Sequence, residues 1–293
     1  MKILVLGCNG MAGSMISQYF KEQGYDVYGL ALEKSKTLDE EHSYIADATN
    51  FAQLDEIIKK EEFDYIINSI GILNSQTEIN KALSITLNSL LPHHLANVTR
   101  TMKTKVIHMS TDCVFSGKDG SYTESAFPDA ESFYGRTKAL GELNDDKNLT
   151  IRTSIVGPDI NIGGIGLFNW FMKQRGEING YTKAIWTGVT TLELAKIMQK
   201  SIEDDQVGLV NMVNNKTITK FNLLKLFNKY FRNNDIIIDE YDEFVENKSL
   251  VRTNFDLNYE VPSYETMVKE MAEWVKNHRG LYVNYQGEKI CGN

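Results

Sequence analysis

Hydrophobic and polar positions along this chain follow two periods in turn. Lys2–Leu6 (KILVL) is a continuous aliphatic run of the kind buried on both faces of a parallel sheet. It leads into the glycine-rich Gly7–Gly13, and Met11, Met15, Ile16, Tyr19 and Phe20 then recur at helical spacing until Gly24. The pattern repeats. Asp26–Leu32 is a second strand, Tyr44–Ala46 a short third, Ala52–Lys60 a helix, and Phe63–Asn68 a fourth strand before the small-residue turn Ser69-Ile70-Gly71. Asn80–Thr101 reads as one long helix, Val106–Met109 as a fifth strand ended by the polar Ser110-Thr111-Asp112, and Tyr134 opens another helix. Strands alternating with helices predict an α/β chain with a Rossmann-type doubly wound parallel sheet.

After a sixth strand, Asn148–Val156, the rhythm changes. Asp159–Gly166 is a glycine-rich loop, Leu167, Trp170, Phe171 and Met172 crowd a short helix, and helices follow at Leu192–Ile202, Lys220–Phe231 and Tyr264–Asn277. Gly208–Val213 reads as a strand, Ile236–Ile238 as a short one, and Leu281–Asn293 as an extended surface tail. These elements divide the chain into a dinucleotide-binding domain, 1–157 plus about 188–216, and a smaller α/β substrate lobe, 158–187 and 217–293. The active site is expected in the crevice at the carboxyl ends of the strands.

Composition narrows the function classes. The 293 residues are 42% hydrophobic and 24% charged, ordinary for a globular protein, and the net charge of −8 without clustered Lys and Arg excludes a nucleic-acid binder. Cys8, Cys113 and Cys291 are far apart and lack metal-ligand spacing, so reduced thiols and no metal site are expected. The chain enters its first strand too directly for a signal peptide, and no run approaches the ~20 apolar residues of a membrane span. A cytoplasmic protein without membrane partners is the expectation, and a homodimer is left open.

The glycine run sits between a strand and a helix, which turns Gly7, Asn9, Gly10, Met11 and Gly13 into candidates for holding a pyrophosphate against backbone N–H groups and a helix N-terminus. The end of the second strand carries Ala31 where a carboxylate would bind the ribose of NAD, and Lys34, Ser35 and Lys36 follow. The expected cofactor is therefore NADP(H), while Glu33 leaves NAD(H) open. Asp47 and Ala48 are placed to contact the adenine edge, Ser69 and Ile70 form the turn after the fourth strand, and Asn88, unfavourable inside a helix, is a further candidate contact. His93 and His94 point apart on a helix and make no shared metal site. Tyr134 and Lys138 are one helical turn apart, so a phenol and an ammonium share a face, which makes a candidate proton donor and its tuner.

With STDCVFSG (110–117), Tyr122-Thr123-Glu124 and YGRTKALGE (134–142), the glycine run and the Tyr-x-x-x-Lys pair resemble the extended short-chain dehydrogenase/reductases, and within them the dTDP-4-dehydrorhamnose reductase family. The resemblance implies catalytic roles for Thr111 and its neighbour Asp112, with Tyr134 as acid and Lys138 on the nicotinamide ribose. It implies reduction of the 4-keto group of a nucleotide-diphosphate-linked 4-keto-6-deoxyhexose. The family commonly has an aromatic residue where Cys113 stands. Trp170, Lys183 and Trp186 are candidate substrate contacts. Two alternatives remain: an epimerase or dehydratase of related sugar nucleotides, and a non-catalytic NADP-binding regulatory subunit. A dehydratase would pair acids beside the threonine, and Thr111-Asp112-Cys113 offers one.

Overall fold

A computed structural model describes residues 1–73, 75–254 and 257–285. In chain order the first half comprises β1 (Lys2–Leu6), α1 (Met11–Glu22), β2 (Asp26–Ala31), β3 (Ser43–Ile45), α2 (Phe51–Glu61), β4 (Tyr65–Asn68), α3 (Ser75–Ile79), α4 (Lys81–Ile85), α5 (Leu91–Val98), β5 (Lys105–Ser110) and α6 (Phe133–Leu140). The second half comprises β6 (Leu149–Arg152), β7 (Ile155–Val156), α7 (Leu167–Met172), β8 (Glu177–Trp186), β9 (Val189–Thr190), α8 (Thr191–Glu203), β10 (Gly208–Asn211), β11 (Ile218–Thr219), α9 (Lys220–Phe231), β12 (Ile237–Asn247) and α10 (Tyr264–Asn277).

The large sheet has seven strands in the order β10-β6-β5-β4-β1-β2-β3, all neighbours parallel. Strand order reverses between β1 and β4, which opens a crevice at their carboxyl ends. The aliphatic runs explain the sheet: Ile3, Leu4, Val5 and Leu6 are wholly buried, because helices cover both faces. Ser132, Thr190, Thr219 and Ser263 start α6, α8, α9 and α10, each hydroxyl accepting a first-turn backbone N–H.

Three expectations change. The single helix predicted over 80–101 is broken: Asn80 caps α4, and Thr86–Leu90 forms a π-helical turn. Pro92 has no N–H to give the Asn88 carbonyl, and the Leu91 N–H reaches back to Thr86 instead. The predicted sixth strand splits at Thr153, where the chain leaves the large sheet and β7 pairs with β9. In the lobe, β8 runs through the centre of a three-stranded sheet, β11-β8-β12, and β12 extends to Asn247, far beyond the predicted Ile236–Ile238. The β12 strand lacks clean alternation because much of it is solvated on both faces, as an acidic edge strand.

One core cluster runs from the α1 and α8 side of the large sheet through α7, α9 and α10, so the lobe is packed onto the sheet without a solvent gap. The segment predicted as a surface tail turns inward where it is described: Tyr282 and Tyr285 are buried, and the Tyr285 hydroxyl bonds Asn169. The rest of that tail, Cys291 included, lies outside the described residues. Among the described residues no helix is long and apolar enough to cross a membrane.

Candidate active site

At the crevice, Gly7 takes a left-handed φ of 79° and its carbonyl accepts the Gly10 N–H at 2.9 Å. A Cβ at Gly13 would overlap that carbonyl, so only glycine lets α1 begin flush against the turn. The helix starts on Gly10 with no side-chain cap, which leaves first-turn N–H groups for a ligand anion. In front of it lies a cavity of about 440 Å³, lined by Gly7, Asn9, Gly10, Ala31, Glu33, Lys36, Asp47, Ala48, Ser69, Ile70 and Asn161, among others. Free helix N–H groups, a glycine cradle and a long cleft at the strand-order reversal together fit a dinucleotide.

Several side chains in this cradle are already committed. The Asn9 amide ties the glycine turn to the segment after β2, donating to Lys34 O and accepting from the Lys36 N–H. The Asp47 carboxylate accepts from both the N–H and the hydroxyl of Thr49, and the Ser69 hydroxyl donates to Leu6 O at 2.6 Å. Lys34, predicted at the cofactor phosphate, turns instead to the surface and pairs with Glu40 at 2.7 Å. The lysine on the cavity wall is Lys36, whose ammonium donates to Asn161 Oδ1 at 2.6 Å. Asn161 in turn donates to Asn9 O, so the glycine-rich loop after β7 reaches the first glycine turn. Asn88 is fully buried behind the wall. Its amide clasps both backbone groups of Ile72 and donates to Thr137 Oγ1, making it a brace between the cavity wall and α6.

The residues predicted to be catalytic lie on the turn after β5 and on α6. Thr111 caps a short 3₁₀ turn, Asp112–Val114, accepting from the Cys113 N–H and donating to the Asp112 carboxylate at 3.2 Å. Gly135 brings α6 against this turn, because a Cβ there would overlap the Cys113 carbonyl. Tyr134 is thereby set beside Thr111. Burial pushes the phenol well above its ordinary range, Cys113 adds to that, and a hydrogen bond with the Thr111 hydroxyl pulls it back. Burial also raises the Asp112 carboxyl, opposed by Lys248.

Lys138 is 4% exposed and, against expectation, spends its ammonium on the floor of the site rather than on the phenol. It donates to Met109 O at 2.6 Å and lies 3.4 Å from His108 Nε2. Burial lowers it to about 8.

The three substrate candidates scatter. Trp170 is 43% exposed on α7, and Lys183 pairs with Asp242 on the lobe sheet. Trp186 is an interior residue at 5% exposure, packed against Tyr264, because the pleat of β8 turns Ala184 and Trp186 inward. Sequence reasoning missed His108, Asn68, Lys248 and Asn161. His108 reads as one more position of an apolar strand, and nothing local marks Lys248, which follows β12 and faces Asp112 and Cys113 from the lobe.

Residues 1–236 match the family model described as the RmlD substrate binding domain. A probable low-salt glycan biosynthesis reductase of Haloferax volcanii is 32% identical over 163 residues, covering 53% of this chain and 54% of that protein. The methionine adenosyltransferase 2 subunit beta of Xenopus laevis is 26% identical over 168 residues, covering 54% and 48%. The chain thus spans about half the length of these curated relatives. The crystal structure of a Bacillus anthracis dTDP-4-dehydrorhamnose reductase in complex with NADP superposes with a TM-score of 0.76 at 20% identity, covering 92% of this chain and 98% of that one, a likeness of fold.

Proposed function

The chain belongs to the RmlD substrate-binding-domain family, and on that premise we propose that it is an NAD(P)H-dependent reductase of the 4-keto group of a nucleotide-diphosphate-linked 4-keto-6-deoxyhexose, serving surface-polysaccharide or deoxysugar synthesis. The observation that carries this reading is Tyr134 set beside Thr111 with Lys138 one turn further along α6, the helix that Asn88 braces against the Ile72 wall of a dinucleotide-shaped cleft.

Gly7, Gly10, Met11 and Gly13 would hold the cofactor pyrophosphate through backbone N–H groups, Asp47 and Ala48 the adenine edge, and Ser69 and Ile70 the turn nearest the nicotinamide. A bound reduced nicotinamide supplies the hydride. Thr111 grips the ketone oxygen, and Tyr134, held protonated by its burial, gives up its proton as charge develops there. Asp112 orients the Thr111 hydroxyl, accepting its hydrogen when no ketone is present. Lys36 on the cavity wall, with Ala31 where NAD sites carry a carboxylate, supports NADP(H) as the preferred cofactor. Glu33 on the same wall keeps NADH as the second.

The test is to incubate the protein with NADPH or NADH and a nucleotide-linked 4-keto-6-deoxyhexose, following nicotinamide absorbance and sugar product. Consumption of cofactor matched by reduced sugar is expected. Isomerised sugar without net consumption would make the protein an epimerase. Tight NADPH binding with no turnover on any such ketone would shift the reading to a regulatory subunit, which the similarity to the Xenopus subunit supports.

A further inference from the structure

Beneath the Tyr134 and Lys138 pair lies a buried chain of polar groups that the proposed chemistry does not use. Asn68 ends β4 and His108 lies on β5, and the parallel register places them side by side. Both are 0% exposed. Asn68 Nδ2 is 3.2 Å from His108 Nδ1, and His108 Nε2 is 3.4 Å from Lys138 Nζ.

The hydrogens on this chain follow from one contact. The Ile70 backbone N–H, which can only donate, reaches Asn68 Oδ1 at 3.2 Å. The Asn68 oxygen therefore faces Ile70 and its NH₂ faces the imidazole. A donor there requires His108 Nδ1 to accept, so the ring proton sits on Nε2 and points at Lys138. A protonated ammonium has hydrogens and no lone pair, so it meets this N–H donor to donor, whereas a neutral amine accepts from it.

We propose that His108, locked by Asn68 with its Nε2–H toward Lys138, is a positioning residue that favours the neutral amine and keeps Lys138 loosely protonated. The surroundings agree. The carboxylate whose charge acts on Lys138, Glu142 one turn along the same segment, is committed to Arg152 and Ser110, and Tyr134 one turn back is a neutral phenol. His108 itself is held neutral by burial and by the positive charge of Lys138, with His93 adding to this from α5. Met109 O is the remaining acceptor on the ammonium and fixes where it stands. The lysine thus keeps a labile proton one helical turn from the acid tyrosine, with no carboxylate bonded to its ammonium among the described residues.

The functional weight of this rests on the reductase reading, but its test needs no turnover, so a failed assay and a failed titration are separate outcomes. In cofactor-free protein carrying lysine labelled with ¹³C at Cε, the Lys138 resonance, assigned by its loss in Lys138→Met, is titrated by NMR. His108→Gln can turn an amide oxygen toward the ammonium, and Asn68→Ala frees the imidazole to take its other tautomer. Each is expected to move the Lys138 midpoint upward by about half a pH unit or more. Asn68 does not touch Lys138, so a packing role for His108 alone predicts no shift in that variant. An unchanged midpoint in either variant, with cooperative thermal unfolding retained, overturns the proposal. Should His108→Gln fail to fold, Asn68→Ala decides it.

Discussion

Two cations are buried around α6, and the molecule treats them in opposite ways. At the end of β6, Arg152 is 1% exposed and bound by both oxygens of Glu142, at 2.9 and 2.6 Å, with Ser110 donating to the same carboxylate and the Phe115 ring 5.0 Å from the guanidinium. Lys138 is nearly as buried, yet among the described residues it holds a carbonyl and an imidazole and no carboxylate. The difference is one of register. Ser110 pairs with Arg152 across the parallel ladder, so Glu142 bonds the arginine and acts on the lysine only through its charge. A neutralised cation fastens α6 to the sheet, and in the proposed reading the unneutralised one is left to hold a ligand and exchange a proton.

Variants that hit one region and spare the other tell the two cations apart. Tyr134→Phe should lower kcat by about 10²–10⁴ with cofactor affinity and stability little altered, measured by steady-state kinetics and denaturant titration; wild-type turnover would remove the phenol from the mechanism. Glu142→Gln leaves Arg152 buried and uncompensated, and should cost about 3–5 kcal/mol of unfolding free energy in urea titrations. A loss under about 1 kcal/mol would class the pair with ordinary surface bridges and break the comparison from the structural side. Lys138→Met has the opposite signature: turnover collapses, while removal of an unpaired buried charge stabilises the fold by about 1–2 kcal/mol. Destabilisation there would show that the Met109 and His108 contacts already satisfy the lysine.

The same contrast explains what the sequence made legible. The strand-glycine-helix opening, the polar end of β5 and the Tyr134 and Lys138 spacing are local patterns, and the large sheet follows from them with boundaries shifted by a residue or two except at β6, where the predicted strand splits. Contacts made across the sheet are different. Asn68 and His108 lie 40 positions apart and meet only through register, and Lys248 arrives from the far end of the lobe. Lys34 and Lys36 were indistinguishable in sequence, because which of them faces the cleft depends on how the chain bends after β2 under the hold of Asn9. The lobe was least legible. The solvated β12 carries no alternating pattern, and Trp186 looks like a binding residue until the pleat of β8 turns it inward.

The smallest expected effect concerns pH and separates the two regions without any assay of activity. His108 is held neutral in the fold well below its ordinary value of 6.5, so below about pH 6.5 the unfolded chain binds a proton that the native state refuses. Stability should therefore fall as pH drops through that range, with a slope of at most about 1.4 kcal/mol per unit from this group. Lys138 acts at the other end with the same sign. With a folded value of about 8 against an ordinary 10.5, the unfolded chain again holds the extra proton, and stability rises from pH 8 upward. Above about pH 10 the tyrosines whose pKa the fold raises, Tyr134 among them, reverse the trend, because they resist ionisation only while folded. Melting temperatures between pH 5 and pH 10 should accordingly climb in two stages. His108→Gln should flatten the acid stage and Lys138→Met the alkaline one. Arg152 stays charged throughout, so no stage belongs to it. If Lys138→Met leaves the alkaline stage in place, the lysine is not the group that titrates there, and the contrast between the two cations fails at its functional half.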